Sequence, residues 1–186
     1  MKKQETWKLE LSPDLSRELP VRTLRGSDKQ IASFVMLGDV ELNKKCAALL
    51  VDKMKDQGLL DQFEYLVTLE AKGITLAHEV AHLLDYPRFV VIRKTAKKYM
   101  QAPLMAPCES ITSGGNQTLV LDGIDIERIR GKKVCLVEDV IATGGSIESA
   151  CNLLTAVGAE VTVIAAVLLK GDFEDERLIY IKKPEM

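Results

Sequence analysis

The sequence lacks a hydrophobic segment long enough to cross a membrane. Its longest apolar run, Val161–Leu169, spans nine residues, about half of what a membrane helix requires. The amino terminus carries lysines but no apolar stretch behind them, so we expect no signal peptide and no membrane association. These absences favour a soluble cytoplasmic protein.

Clustered cysteines and an excess of positive charge are also missing. In a reducing compartment, four widely spaced cysteines without a C-x-x-C pair favour isolated, mostly buried thiols over disulfides or a cysteine metal site. The 25 Lys and Arg nearly balance the 27 Asp and Glu, which leaves a net charge of −2. This balance argues against nucleic acid as a partner. The cysteines are Cys46, Cys108, Cys135 and Cys151.

The 186 residues show an alternation of strand and helix patterns, and their number suits one compact domain. Continuous apolar strands between amphipathic helices predict an α/β fold, with a parallel twisted sheet and helices on both faces. The predicted strands are Tyr65–Leu69, Phe89–Ile92, Val134–Val137 and Val161–Leu169, with a shorter apolar run at Ile31–Met36. The predicted helices are Val40–Met54, Ile74–Leu84 (with Ile74, Ala77, Ala81 and Leu84 on the inner face) and Ser146–Ala156.

The stretch after the second of these strands has a different composition. Arg93–Tyr99 is basic and Gln101–Cys108 contains two prolines, which predicts a long exposed loop. Glu109–Thr112 and Gln117–Leu121 flank a short Gly-rich segment and predict a β-hairpin. Residues 1–30 show no clear pattern.

The most informative motif follows the strand that ends at Val137, because parallel sheets bind ligands at the carboxyl ends of their strands. It reads Glu-Asp-Val-Ile-Ala-Thr-Gly-Gly-Ser over residues 138–146 and leads into a predicted helix. Backbone N–H groups at a glycine-rich helix start suit a phosphate, and adjacent carboxylates suit vicinal hydroxyls. Thr-Gly-Gly-Ser alone is also typical of an ordinary capped turn, but the complete motif favours a ribose 5-phosphate ligand.

Val134–Ser146 closely resembles the phosphoribosyl-pyrophosphate (PRPP) signature of type I phosphoribosyltransferases, with Glu138 where many members have Asp. Glu70-Ala71-Lys72-Gly73 resembles the family's pyrophosphate-binding loop, in which a strained peptide would here join Ala71 and Lys72. Arg93–Tyr99 resembles the segment that leads into the family's flexible catalytic loop. The similarity covers about residues 31–170 and is closest to adenine phosphoribosyltransferases and related purine-responsive proteins.

The resemblance implies the type I phosphoribosyltransferase fold, with an N-terminal hood (residues 1–36), a core (37–170), a C-terminal tail (171–186) and a flexible β-hairpin. It implies transfer of the phosphoribosyl group from PRPP to a nucleobase, with pyrophosphate released. Adenine is the first expectation, other purines the next, and a pyrimidine is possible. The resemblance also implies a homodimer, and it implies a Mg²⁺ ion that PRPP carries near the acid pair, with no protein ligand assigned to the ion.

The resemblance also implies a role for each motif residue. Glu138 and Asp139 would hold the ribose hydroxyls, while Arg93 and Lys97 would stabilise charge on the departing pyrophosphate. For Lys98, a solvated position is the simpler interpretation. The 5-phosphate would bind to Ala142, Thr143, Gly144, Gly145 and Ser146, and the pyrophosphate to Glu70, Ala71, Lys72 and Gly73. The candidate base pocket comprises Phe34, equally well explained as a core residue, and Ile141.

Two other functions are each supported by one feature of the sequence. A regulator of the same fold would sense PRPP and bind nucleic acid without transfer, but residues 1–30 are too short for a winged-helix domain. His78-Glu79-Val80-Ala81-His82 matches the H-E-x-x-H pattern of zinc proteases. Since these are the only two histidines and no motif supplies a third ligand, polar residues on an outer helix face explain this pattern better.

Overall fold

The computed structural model describes residues 5–24, 26, 28, 30–110 and 115–184. In chain order its elements are β1 (Thr6–Ser12), β2 (Leu15–Thr23), β3 (Gln30–Ala32), α1 (Val40–Asp56), a 3-10 turn (Leu60–Gln62), β4 (Tyr65–Leu69), α2 (Gly73–Leu83), β5 (Val90–Ile92), β6 (Leu104–Ser110), β7 (Gly115–Leu121), α3 (Gly123–Ile129), β8 (Lys133–Ile141), α4 (Gly145–Ala156), β9 (Glu160–Leu169) and β10 (Leu178–Lys182). Among these described residues, no helix is both long and apolar enough to span a membrane.

A five-stranded sheet forms the centre of the molecule, in the order β10-β9-β8-β4-β5. All four strand pairings are parallel, so the predicted parallel sheet is confirmed. The strand β10 was not predicted, because its sequence, Leu-Ile-Tyr-Ile-Lys, is short and follows a charged segment. It extends the sheet beyond β9 at one edge.

The two faces of the sheet contribute to two hydrophobic cores, because side chains alternate along each strand. In β8, Cys135 and Val137 pack into the core that contains α1 and α2. Val134 and Leu136 pack into the opposite core, with α4 and the β6–β7 hairpin. Burial on both faces explains why β8 and β9 read as continuous apolar runs rather than as alternating ones.

The four α-helices begin in two different ways. Asp39 caps α1 by accepting a hydrogen bond from Leu42 N, and Asp122 caps α3 through Ile124 N. In contrast, α2 and α4, which start after Lys72 and Gly144, have no side-chain cap within the described residues. The first N–H groups of α2 and α4 are therefore left for another partner.

An antiparallel sheet, β1-β2-β3, forms the N-terminal region. It contributes Leu9, Leu15 and Leu19 to the core that contains α1. Arg17 in β2 joins this sheet to the start of α1, since Arg17 Nε donates to Asp39 Oδ2 at 2.8 Å. No periodic pattern marks these strands in the sequence, because they carry many charged, outward-facing residues. The division into hood, core and tail remains a prediction.

Two details of the predicted elements were wrong. The strand β6 begins at Leu104, inside the expected loop, since a two-stranded ribbon tolerates the missing N–H of Pro107 at its edge. The inner face of α2 includes Leu76 and Val80, whereas Ile74 and Leu84 are only partly buried. In the apolar run Ile31–Met36, which was not assigned to an element, Ile31 and Ala32 belong to β3. The hairpin is confirmed by the pairing of β6 with β7, but residues 111–114 of its predicted turn lie outside the described residues.

Candidate active site

Four segments meet at the carboxyl-terminal edge of the central sheet. They are residues 70–73 after β4, 93–100 after β5, 138–146 at the end of β8, and Lys170 after β9. Because these strands are neighbours and parallel, their ends lie at one edge of the sheet. Ion pairs and hydrogen bonds join the segments, so most of the predicted polar site residues lie close together.

Glu138 is anchored to the end of β4. It lies within β8 rather than after it, because the strand continues to Ile141. Its Oε1 accepts hydrogen bonds from Leu69 N at 2.9 Å and from Thr68 Oγ1 at 3.3 Å. Burial of the carboxyl group raises the pKa of Glu138 to about 8, and the charge of Asp139 adds to the rise. In this arrangement Glu138 is largely protonated at neutral pH.

Asp139 is buried and paired with a lysine of the neighbouring loop. Its side chain is 2% exposed, and its Oδ2 lies 2.8 Å from Lys72 Nζ, although the alignment is not that of a good hydrogen bond. Burial lowers the pKa of nearby Lys170, the charge of Lys72 lowers it further, and the charge of Asp139 opposes the change. Asp139 therefore lies against the Lys72 ammonium and close enough to Lys170 to affect its pKa.

Lys170 was missed by the sequence analysis. Its Nζ donates a hydrogen bond to the Ala32 backbone oxygen at 3.0 Å, which links the site to the end of β3. A lysine directly after the longest apolar strand was a usable signal, because it had to lie at the ligand-binding edge of the sheet.

The loop after β4 packs closely on Glu138 through Gly73. A Cβ at Gly73 would lie 2.3 Å from Thr68 Oγ1 and 2.7 Å from Glu138 Oε1, so a larger residue would displace the loop. The peptide bond between Glu70 and Ala71 is cis, whereas the unusual peptide was expected one bond later, at Ala71–Lys72. Sequence does not distinguish the two bonds, because neither precedes a proline.

Glu70 connects this loop with the basic segment. Its Oε2 accepts hydrogen bonds from Arg93 Nε at 3.1 Å and from Lys94 N at 2.9 Å. The backbone of Arg93 pairs with Val120 of β7 in both directions, at 2.8 and 2.7 Å. The base of the hairpin is therefore attached next to Glu70. Lys97 lies further out, where its Nζ donates to Thr95 Oγ1.

The segment from Ala142 to Ser146 forms the turn between β8 and α4. Gly144 adopts a left-handed conformation, with φ 84°, directly before the helix, a conformation that favours glycine. The ring of Phe173 covers Gly144 so closely that a Cβ there would lie 2.1 Å from the ring. The result is a tight turn that leads into an uncapped helix N-terminus, which is the local geometry of anion-binding turns.

Phe173 was also missed by the sequence analysis. It lies in the charged segment between β9 and β10, where no periodic pattern marks it. Its contact with Gly144 arises only because this segment folds back over the turn. The contact is a tertiary one that a local motif does not contain.

The two candidate base-pocket residues are both buried. Phe34 is 5% exposed and packs in the core with α1, while Ile141 is 1% exposed and packs in the opposite core. Neither offers enough surface to cover a base in this arrangement, so their role remains a prediction that requires them to move. Val35 and Leu37, beside Phe34, are about half exposed.

The histidines of the H-E-x-x-H motif lie on the outer side of α2. His78 and His82 are exposed on α2, and His78 contacts the edge of Phe89. Within the residues that the structure describes, no group of three His, Cys, Asp or Glu side chains is placed to hold a metal ion. The outer-face interpretation therefore explains the motif.

Comparison with known proteins gives a consistent result. Residues 40–183 match the phosphoribosyl transferase domain. The chain is 32% identical over 123 residues to a hypoxanthine/guanine phosphoribosyltransferase of Methanothermus fervidus, a match that covers 66% of this chain and 61% of that protein. It is 29% identical over 166 residues to an adenine phosphoribosyltransferase of Clostridium novyi, covering 86% and 89% of the two chains.

A solved structure of the same architecture is the adenine phosphoribosyltransferase of Saccharomyces cerevisiae, determined with an imino-altritol bisphosphate and adenine. It superposes with a TM-score of 0.71 at 22% identity, over 88% of this chain and 94% of that one. A similar enzyme from Thermoanaerobacter pseudethanolicus gives a TM-score of 0.68 at 18% identity. At these identities the likeness confirms the fold.

Proposed function

Because this chain belongs to the phosphoribosyl transferase domain family, in its type I, purine-enzyme-like branch, we propose that it transfers the 5-phosphoribosyl group of PRPP to a purine base and releases pyrophosphate. One observation carries the proposal. Two uncapped helix N-termini, those of α2 and α4, begin beside an acid pair at the same edge of the sheet. PRPP carries two anionic groups with a diol between them, which matches this arrangement.

Each end of PRPP has its own binding segment. The 5-phosphate binds at the start of α4, where the N–H groups from Gly144 to Ser146 and the helix dipole favour an anion. The pyrophosphate binds at Ala71–Gly73, with the Lys72 ammonium and the Arg93 guanidinium nearby. Glu138 and Asp139 accept hydrogen bonds from the ribose hydroxyls. Lys97 approaches the pyrophosphate when the hairpin closes.

The reaction breaks one bond and forms another at the ribose anomeric carbon. The C1–O bond breaks with its electron pair moving to pyrophosphate, and the base nitrogen forms the new C1–N bond as it loses its proton. The chain contributes by holding both reactants in line and by placing Lys72 and Arg93 where negative charge grows. Closure of the β6–β7 hairpin excludes water that would otherwise trap the cationic sugar.

The site fits a Mg²⁺ ion that arrives with its substrate. Mg²⁺ commonly keeps several waters and uses one or two carboxylates together with substrate phosphates. Asp139 and, once it has lost its proton, Glu138 would supply two such carboxylates, and no third one joins them among the described residues. When bound, the ion neutralises charge on the pyrophosphate, while Glu138 and Asp139 orient its waters and the ribose hydroxyls.

Adenine is our first choice of base, ahead of hypoxanthine and guanine. Its support is the Clostridium novyi relative, which is aligned over 86% of this chain, against 66% for the archaeal hypoxanthine/guanine enzyme. We also propose that the protein is cytoplasmic and forms a homodimer. Sedimentation velocity tests the oligomeric state directly. The exposed apolar side chains of Val35, Leu37 and Val40 offer surface for such an interface.

The decisive assay combines the protein with MgCl₂, PRPP and, separately, adenine, hypoxanthine, guanine, xanthine and uracil. Pyrophosphate release and formation of the nucleoside monophosphate are followed together. We expect release with at least one purine and none without a base. If PRPP binds and no base causes release, the protein is a sensor of PRPP and the proposed transfer is wrong.

A further inference from the structure

The Glu70 carboxylate occupies an unusual position in the candidate site. It belongs to the loop proposed to bind pyrophosphate, yet it points to two donors of the next segment, Arg93 Nε and Lys94 N. The Lys94 N–H lowers the pKa of Glu70 most, and the charges of Arg93 and Lys97 lower it further, against an opposing effect of burial. Glu70 is therefore a stable anion at neutral pH.

An ionised carboxylate has no proton to donate to pyrophosphate. Its contacts instead fix the guanidinium of Arg93, because both side chains are about three-quarters buried, with exposed fractions of 28% for Arg93 and 24% for Glu70. The Arg93 backbone is held at the same time by Val120 of β7. Among the described residues, Glu70 is the one charged partner of the Arg93 side chain, which also donates a longer hydrogen bond to the Tyr99 hydroxyl at 3.4 Å.

The same carboxylate also opposes the binding of another anion. It lies beside Ala71–Gly73 and within the field of Lys97, which are both proposed to receive pyrophosphate. Two negative charges in one partly buried site repel each other, and the repulsion acts on substrate and product alike. A site made only of cations would bind pyrophosphate more tightly and release it more slowly.

We propose that Glu70 is a positioning residue with two effects: it orients Arg93 toward the leaving group, and its charge limits the affinity of the site for released pyrophosphate. The proposal rests on the proposed function, because it takes pyrophosphate as the product. The motif alone predicts that Glu70 binds pyrophosphate directly. The proposal gives it the opposite effect, because its charge weakens the binding of pyrophosphate.

The test compares Glu70→Gln, Glu70→Asp and Glu70→Ala with the unaltered protein. Glu70→Gln keeps an oxygen for the Lys94 N–H but removes the charge. We expect about three- to tenfold tighter inhibition by pyrophosphate, together with a lower kcat because Arg93 loses its charged partner. Glu70→Asp keeps the charge, so inhibition by pyrophosphate stays as in the unaltered protein while kcat falls less. Glu70→Ala lowers kcat most and also tightens inhibition.

Glu127→Gln is the matched control. It removes a carboxylate that pairs with Arg130 at 3.0 Å on the exposed surface. We expect neither kcat nor the inhibition constant of pyrophosphate to change. A merely structural Glu70 would lower the melting temperature of its variants without changing inhibition by pyrophosphate. That result, or weaker inhibition in Glu70→Gln, overturns the proposal while leaving the proposed function intact.

Calorimetry with Mg²⁺ and pyrophosphate separates this proposal from the reaction itself. If no base supports turnover in the unaltered protein, the proposed function fails, but binding of pyrophosphate remains measurable. Glu70→Gln is still expected to bind pyrophosphate more tightly than the unaltered protein. Equal affinities for the two proteins overturn the electrostatic role of Glu70.

Discussion

The helices α1 and α3 differ from α2 and α4 in how their first turns are satisfied. Asp39 and Asp122 accept hydrogen bonds from the first N–H groups of α1 and α3, as expected where a helix only has to be stable. The starts of α2 and α4, at the candidate site, lack such a carboxylate among the described residues. A cap there would occupy the groups that we expect a ligand anion to use. Stability and binding are thus assigned to different helix N-termini.

The largest expected effect follows from replacing both acids of the pair. Asp139→Asn with Glu138→Gln should reduce turnover to the background rate, because amide oxygens are weaker acceptors for the ribose hydroxyls than carboxylate oxygens. The fold should persist, since both substitutions conserve volume. Turnover in a steady-state pyrophosphate assay and a circular dichroism spectrum measure the two outcomes. Asp125→Asn, which alters an ion pair with Arg128 on α3, is the control. Retained turnover in the double variant contradicts the assignment.

A second prediction alters the start of α4 directly. Gly144→Ala places a methyl group against the Phe173 ring at a backbone φ of 84°, so the turn must shift. We expect a loss of PRPP affinity on the order of a hundredfold, roughly what a few displaced phosphate contacts cost. The control is Gly158→Ala, since Gly158 has φ 83° and an ordinary 3.7 Å contact to Arg130. Equal losses of affinity in both variants would trace the effect to backbone strain alone.

The acid pair and the glycine turn at the start of α4 were predictable because they are contiguous in sequence. Residues 134–146 contain a strand, an acid pair and a glycine turn in order, and one strand and one helix suffice to place them. Phe173 and Lys170 reach the same site only through the path of the chain after β9. Leu76 and Val80 were left out of the predicted inner face of α2, because an apolar helix next to small residues offers two plausible faces.

A third prediction concerns the pH dependence of stability. The pKa of Glu138 is raised to about 8 in the folded protein, from 4.5, so the folded state binds more protons than the unfolded state between those values. The contribution of Glu138 to stability is therefore complete below about pH 4.5 and is lost as pH rises toward 8. Between these pH values, Glu138 lowers the free energy of unfolding by at most about 1.4 kcal/mol per pH unit.

Urea unfolding at pH 6, 7 and 8 measures this slope, and Glu138→Gln supplies the comparison. The variant should lose less of its free energy of unfolding over this range than the unaltered protein. Parallel pH profiles for the two proteins would show that Glu138 is ionised throughout.

The smallest expected effect concerns a helix outside the site. Asp39→Ala removes the cap of α1 and the partner of Arg17, which should lower the free energy of unfolding by about 1–2 kcal/mol. The activity per folded molecule should stay unchanged, because the start of α1 is not assigned to ligand binding. Asp39→Asn, which retains a capping oxygen, should lose less stability. A fall in kcat with unchanged stability would assign the start of α1 to the active site as well.

Isothermal titration calorimetry of PRPP with excess Mg²⁺ tests most directly whether α2 and α4 begin at a ligand site. We expect one PRPP per chain, binding that Gly158→Ala retains and Gly144→Ala loses, and a higher melting temperature in the presence of the ligand. No heat and no thermal protection with the unaltered protein would contradict the account.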